Sequence, residues 1–336
     1  MTGPIRKYAA LILIAILSAN PAAANPSEQK PAKLKAVVLP TMGYAPFFIA
    51  ENEGYFTEQG LDIEYVRLGG ESLKTVPALI QGDIDVVAGT ISIGIINSAV
   101  REGRVKIVAD RGYIGDRECP YASILARRTI IETKKKNDPN QLRGLKIVVN
   151  STSIDGYCAD KALARFGLAL DDLAVQYIPH SVRLEAIKTG ALDLVKASEP
   201  WVTRILDTGN AVVWISDYEV IPDFQYGVVL YGQNLLDKNP EAGKCFMVAY
   251  LKAVRQYNKG KTDRNLEILA EHTELDRELL KKICWPTFRN DGSINIDSIL
   301  EFQKWGLKKG LIDQPASKEQ LWDSRFIDYA NRILGE

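Results

Sequence analysis

The sequence predicts an α/β protein of two lobes, each a mostly parallel sheet flanked by helices. Three observations carry that expectation. Short β-rich runs alternate with helical patterns along most of the chain, the pattern of parallel strands joined by covering helices. The same strand-and-helix grammar then restarts about a third of the way along. Finally, 336 residues with 46% hydrophobic and 25% charged residues suit a folded protein of about two domains. Lys plus Arg and Asp plus Glu both number 42, so there is no basic surplus of the kind a nucleic-acid partner would require.

The elements follow in order. Arg6 and Lys7 precede an apolar run, Ala9 to Leu17, and the small triplet Ala22-Ala23-Ala24. A basic start, a short greasy stretch and an A-x-A site predict a cleavable signal peptide over 1–24. The run is too short for a bilayer-spanning helix, which needs about 20 apolar residues. No Cys follows it to carry a lipid. The expected location is therefore periplasmic. Residues 25–33 read as a flexible leader.

Ala36 to Leu39 is the first strand candidate. Pro46 then opens an apolar helix closed by Gly54, the usual placement of Pro inside a helix start and Gly past its end. Strands are expected at 62–66, 85–88 and 106–109, with helices ending near Gln81 and covering about 92–101. Pro77 confines the helix before Gln81 to a start near Thr75, because Pro is tolerated only in a first turn. Leu34 to Val38 recurs as Leu145 to Val149, offset by about 111 residues. Ala78-Leu79-x-x-Gly82-x-Ile84-Asp85-Val86 recurs as Ala186-Ile187-x-x-Gly190-x-Leu192-Asp193-Leu194, offset by about 108. Two matched blocks in one order predict paired domains. Ser123 to Ala126 and Tyr226 to Tyr231 read as the connectors, and only helical patterns follow the second. The expected lobes are 34–122 plus 230–336, and 123–229.

The four cysteines, Cys119, Cys158, Cys245 and Cys284, can pair in an oxidising compartment. Three pairings exist, of which Cys245 with Cys284 is preferred because both lie in the helical tail. Only His180 and His272 are histidines and no C-x-x-C occurs, so no metal site is expected. Nucleophile-elbow, phosphate-loop and dinucleotide fingerprints are also missing. No catalytic residue and no cofactor is predicted.

Ligands of open parallel sheets bind beyond the carboxyl ends of the strands. The loops expected there contain Gly43, Tyr44 and Ala45; Glu71 and Ser72; Thr90 and Ser92; Arg111; Ser151, Thr152 and Ser153; Tyr157; and Glu199 with Trp201. Ser or Thr at a helix start can cradle an oxyanion, although N-capping explains the same residues without a ligand. Arg111 is the candidate partner of an anionic group. Tyr44, Tyr157 and Trp201 are candidates to enclose an organic body.

Ala45-Pro46-Phe47-Phe48-Ile49-Ala50 with Gly54-Tyr55-Phe56 and Gly60-Leu61-Asp62-Ile63-Glu64 resembles the opening of the nitrate/sulfonate/taurine/thiamine-precursor class of ABC-transporter substrate-binding proteins. The Ala78-to-Asp85 block, Leu142-Arg143-Gly144-Leu145-Lys146-Ile147 and Glu199-Pro200-Trp201 resemble later landmarks of that class. The likeness covers about 34–255. It implies a two-lobed periplasmic binding protein of type II, with two crossover strands and hinge closure on a ligand. It also implies the partners: a small-molecule ligand, which Arg111 and the loop aromatics suggest is anionic or aromatic, and an inner-membrane ABC permease, the receptor being a monomer with no nucleic-acid role. The 110–120 and 218–226 stretches match no ligand-specific pattern of the class, so ligand identity stays open. Two alternatives remain. One is an enzyme like the thiamine-pyrimidine synthases, disfavoured by dispersed cysteines and the export signal. The other is a sensory ligand-binding module.

Overall fold

A computed structural model describes residues 30–66, 75–115, 117–133 and 138–335. The expected signal peptide, most of the leader, Glu71, Ser72 and the Lys134-Lys135-Lys136 run lie outside the described residues. Among the described residues, no helix is long and apolar enough to cross a membrane.

Among the described residues, ten strands form two sheets of five. The first sheet contains β1 (Ala32–Val37), β2 (Leu61–Val66), β3 (Val86–Thr90) and β4 (Val105–Asp110). The second contains β5 (Ala122–Arg127), β6 (Lys146–Val148), β7 (Ala174–Gln176), β8 (Leu194–Ser198) and β9 (Ala211–Ser216). The chain then returns to the first sheet as β10 (Gly227–Gly232). The orders are β2-β1-β3-β10-β4 and β7-β6-β8-β5-β9. In each sheet four strands run one way, and one, β10 or β5, runs antiparallel between two neighbours. Each reversed strand is the first one formed after a crossing from the other sheet.

The sequence repeat is a structural repeat down to its register. Ala36 and Val37 pair with Val86 and Val87, and Ile147 and Val148 pair with Leu194 and Val195. The repeated aspartates perform one task twice. Asp85 Oδ2 accepts from Lys35 N at 2.8 Å, and Asp193 Oδ2 accepts from Lys146 N at 3.0 Å. Each carboxylate thus ties the start of its own strand to the neighbouring one, at Lys35 within β1 and at Lys146, the first residue of β6. The glycines before them, Gly82 and Gly190, have φ of 83° and 80°. That left-handed turn ends a helix at no steric cost only for glycine.

Most strand boundaries fall within two residues of expectation. β1 begins at Ala32, so the end of the expected leader is already strand, paired with β2 from Ala32↔Leu61 onward. The described part of the helix at Pro77 runs Thr75–Gln81.

The reversed strands are continuous apolar runs because both of their faces are covered, unlike the alternating strands of half-exposed sheets. Successive residues enter different cores: Val229 and Tyr231 face one, Val228 and Leu230 the other. The first core packs against the helices Ala45–Asn52 and Pro240–Tyr257. The second includes residues of the helices Ile93–Glu102 and Ile296–Lys308.

The helix Ile154–Ala164 joins the halves. Ala159, Ala162 and Leu163 pack on the second sheet. Ile154, Tyr157 and Cys158 are buried in a core built mainly from the first half. Lys161 meets Glu301 at 2.5 Å, and Asp160 meets Lys309 at 2.8 Å. On the other side, a disulfide links Cys119 to Cys284, with Cα atoms 5.3 Å apart. This overturns the preferred Cys245–Cys284 pairing; Cys158 and Cys245 are free thiols. Membership of one helical region is a poor guide to pairing, since Cα atoms must approach within about 7 Å.

Candidate functional site

The two crossings run side by side. Tyr226 N and Gly227 N donate to Gly112 O at 3.0 and 2.8 Å, Arg111 N donates to Gly227 O at 3.1 Å, and Ile114 N donates to Phe224 O at 2.9 Å. The segments 111–114 and 223–227 therefore form a short antiparallel ribbon between the carboxyl end of β4 and the start of β10.

Asp110 pins this ribbon. Its Oδ1 accepts from Gly112 N at 2.8 Å and Gln225 Nε2 at 2.6 Å, and its Oδ2 accepts from Arg289 N at 2.8 Å. One carboxylate thereby holds both crossings and the helical tail. Burial raises its pKa from 3.8 to about 6, even though these hydrogen bonds favour the charged form.

The adjacent Arg111 is treated differently. Its residue is 8% exposed, its Nε has no hydrogen-bond partner, and among the described residues no carboxylate lies within ion-pair distance of it. The guanidinium lies over the Tyr44 ring, 4.5 Å from the centroid. Two glycines make room for it. A Cβ on Gly43 would stand 2.2 Å from an Arg111 terminal nitrogen, and one on Gly227 would stand 3.0 Å from the other. Arg111, Gly43, Tyr121, Tyr226 and Pro286 line one narrow recess. A buried cation with no internal counterion is costly, and departures of this kind cluster at functional sites.

A second buried cation lies across the junction on β8. Lys196 Nζ is 2.9 Å from Asp217 Oδ2 and 3.3 Å from Asp155 Oδ1. The Cys158 thiol donates to Asp217 Oδ1 at 3.2 Å. Burial, followed by the charge of Asp217, pushes that thiol well above its ordinary range. Among the described residues, no group of three or more His, Cys, Asp or Glu side chains is placed to hold a metal ion.

Of the predicted site residues, Gly43 and Arg111 meet in the recess. Thr90 ends β3 opposite Gly227. Ser92 bridges to Ser153, where a loop of each half touches. Thr152 is exposed and its hydroxyl donates to Asn150 Oδ1 at 3.1 Å. Ser153 Oγ accepts from Asp155 N at 3.2 Å, which is ordinary N-capping, and Ser151 is exposed.

Five other predicted residues make their contacts within the chain. Tyr44 and Ala45 are buried in the core, and the Tyr44 hydroxyl donates to Ala88 O at 2.6 Å; Tyr44 serves the site only as the surface beneath Arg111. Tyr157 is packed among Phe224, Phe302 and Trp305, because its helix is buried on two faces. Trp201 is half-buried and packs against the core of Leu125, Val195 and Ile205 in the second half, with the Arg204 guanidinium 5.1 Å from its ring centroid. Glu199 accepts from Thr203 N and Thr203 Oγ1 at 3.0 and 2.8 Å, so it braces a helix start. Tyr121, Tyr226, Asp110 and Gln225 were missed as site residues. Their only signal was position, in the crossings whose pattern matched no familiar loop.

The fold and the site's geometry can now be set beside known proteins. Residues 27–271 match the NMT1-like family. This chain belongs to the NMT1-like family. A family member's relative in Bacillus subtilis (strain 168), YtlA, is named as a binding protein; it is 24% identical over 304 residues, covering 87% of this chain and 86% of YtlA. Among solved structures, the ligand-binding component of an ABC-type import system from Staphylococcus aureus, crystallised with zinc bound, superposes with a TM-score of 0.72 at 15% identity, over 90% of this chain and 99% of that one. The alkanesulfonate-binding protein SsuA from Xanthomonas axonopodis pv. citri, bound to MOPS, gives 0.67 at 15% identity, over 87% and 99%. The desulfurization enzyme DSZB gives 0.65 at 13% identity, over 90% and 99%. The NMT1-like chain thus has the two-lobed fold of periplasmic binding proteins, a fold that also serves an enzyme.

Proposed function

We propose that this NMT1-like protein is the periplasmic receptor of an ABC importer, binding a small organic anion between its lobes and delivering it to a membrane permease. The unpaired, buried guanidinium of Arg111 at the junction of both crossings is the observation that carries the reading. An anionic group entering the recess would supply the counterion that the described residues do not, through charge-assisted hydrogen bonds in a water-poor setting. The lobes are taken as 34–122 plus 230–336 and 123–229, with the 111–114 and 223–227 ribbon as their hinge. The named binding roles of YtlA and SsuA support a solute receptor.

The DSZB likeness raises an enzyme as the second reading. The raised thiol pKa values of Cys158 and Cys245 disfavour a cysteine nucleophile, which needs a stabilised thiolate. Thermal shift against small sulfonates and carboxylates tests the receptor reading. A binder at 100 times its Kd should add about 2.7 kcal/mol of stability. At the same concentration that binder should add less than about 1 kcal/mol to Arg111→Met. Absence of a shift with every anion, or turnover of a bound one, would reject the proposal.

A further inference from the structure

The recess beside Arg111 holds about 10 Å³, the room of a single water. A larger solute enters only when the two halves part, so whatever limits their parting governs access.

The two crossings do not lie alone. A stretch of the helical tail, 284–289, runs against them as a third strand. Tyr113 pairs antiparallel with Gln225 of the second crossing and with Thr287 of the tail. Tyr113 N donates to Thr287 O at 3.0 Å, and the Thr287 hydroxyl donates to Tyr113 O at 2.6 Å. Arg289 N donates to Asp110 Oδ2 at 2.8 Å, and the Arg289 guanidinium meets Asp223 at 2.6 Å. Each crossing is thus tied to the tail as well as to the other. Pro286 of the same stretch lines the Arg111 recess.

The Cys119–Cys284 disulfide makes this tie covalent. Cys119 lies on the way into β5, and Tyr121 O beyond it accepts from Glu199 N at 2.9 Å, just past β8. That end of the bond is anchored to the second sheet. Cys284 follows the helix Arg277–Lys282, and the adjoining Ile283 is buried in the first core. That end is anchored to the first half. Other contacts on this flank include Lys282 with Asp207 at 2.6 Å and Cys284 N with Glu199 Oε1 at 3.4 Å. The Lys282 pair is exposed and is worth about 1 kcal/mol or less, so thermal motion breaks it. The disulfide does not yield, and it keeps its Cα atoms within about 7 Å however the halves move.

Resting on the receptor reading, whose hinge it uses, we infer that the Cys119–Cys284 disulfide is a redox-sensitive stop on hinge opening. Oxidised, it holds the tail to the first crossing and restricts how far the halves part. Reduced, it lets them part further. Both cysteines are half-buried, so a small dithiol can reach them. The dithiol gives up two electrons and two protons: the S–S bond breaks, two thiols form, and the reagent becomes a disulfide itself.

Hydrogen exchange and small-angle scattering of the full ligand-free protein, before and after dithiothreitol, test this. Denatured samples should titrate two thiols before reduction and four after it. On reduction, amides of 105–114 and 223–232 should exchange at least about tenfold faster, and the radius of gyration should rise. Amides of β1 and β6, outside the hinge, should keep their rates. Cys119→Ser with Cys284→Ser should match the reduced protein without any reductant. Unchanged hinge exchange with four thiols free overturns the inference. A uniform rise across all segments, or unfolding on reduction, also overturns it, because the bond would then brace the whole fold. No ligand is present in these measurements, so none of their outcomes bears on the receptor reading, which stands or falls on anion binding.

Discussion

Arg111 and Lys196 are both buried cations near the junction of the two halves, and they are handled in opposite ways. Lys196 has Asp217 and Asp155 as internal counterions. Arg111 has an aromatic face beneath it and two glycines beside it, but no carboxylate partner among the described residues. The difference separates structure from function. A paired buried charge is self-sufficient, and breaking the pair leaves an uncompensated ion. An unpaired one is a standing cost that binding of an anion can relieve.

The largest effect should come from opening the paired side. Asp217→Ala leaves Lys196 with only the longer contact to Asp155 and should cost about 3–5 kcal/mol in denaturant unfolding. Lys196→Met combined with Asp217→Leu should recover most of that loss. If the single change costs under about 1 kcal/mol, the pair is not the internal anchor described here.

Asp110, the neighbour of Arg111, sharpens the comparison through pH. Its folded pKa, about 6, lies above its ordinary 3.8. Between those values the folded state holds more protons than the unfolded state. The stability contributed by this group is therefore fully present below about 3.8 and is lost as pH rises through about 6, by roughly 3 kcal/mol in total. Denaturant midpoints taken from pH 4 to 7 should show this falling component, and Asp110→Asn should remove it. An unchanged slope in that variant would assign the component to other groups.

On the unpaired side, Arg111→Met should lower anion affinity at least about thirtyfold, or about 2 kcal/mol. Because the guanidinium lacks an internal partner, the ligand-free protein should be no less stable than the original. Loss of fold in this variant would make Arg111 a structural residue like Lys196. The smallest effect is expected from Lys161→Ala. Its contact with Glu301 joins two exposed side chains, so unfolding free energy should move by less than about 1 kcal/mol.

The fold was legible in the sequence because strand pairing depends on local features that repeat. The Gly82/Asp85 and Gly190/Asp193 blocks encode a helix end, a left-handed turn and a strand anchor within four residues. Each copy builds the same register. Of the predicted ligand-binding residues, Gly43 and Arg111 are the ones that line the recess among the described residues. Tyr157 and Trp201 look like cleft aromatics in the sequence, since they sit where helices begin. Whether such a ring faces a gap or a core depends on which helix packs over it, and that helix is far away in the chain. Cys119 and Cys284 make the same point: their separation of 165 residues offers no local signal of contact.

The sequence by itself determined the alternation of strands and helices, the doubled unit and the two runs that connect its halves. These follow from periodicity and turn chemistry, which act over a few residues. Only the tertiary structure decided which charges are paired, which aromatics remain available and where the crossings meet the helical tail. Those outcomes depend on burial and on distances between residues remote in sequence, quantities that no short segment contains.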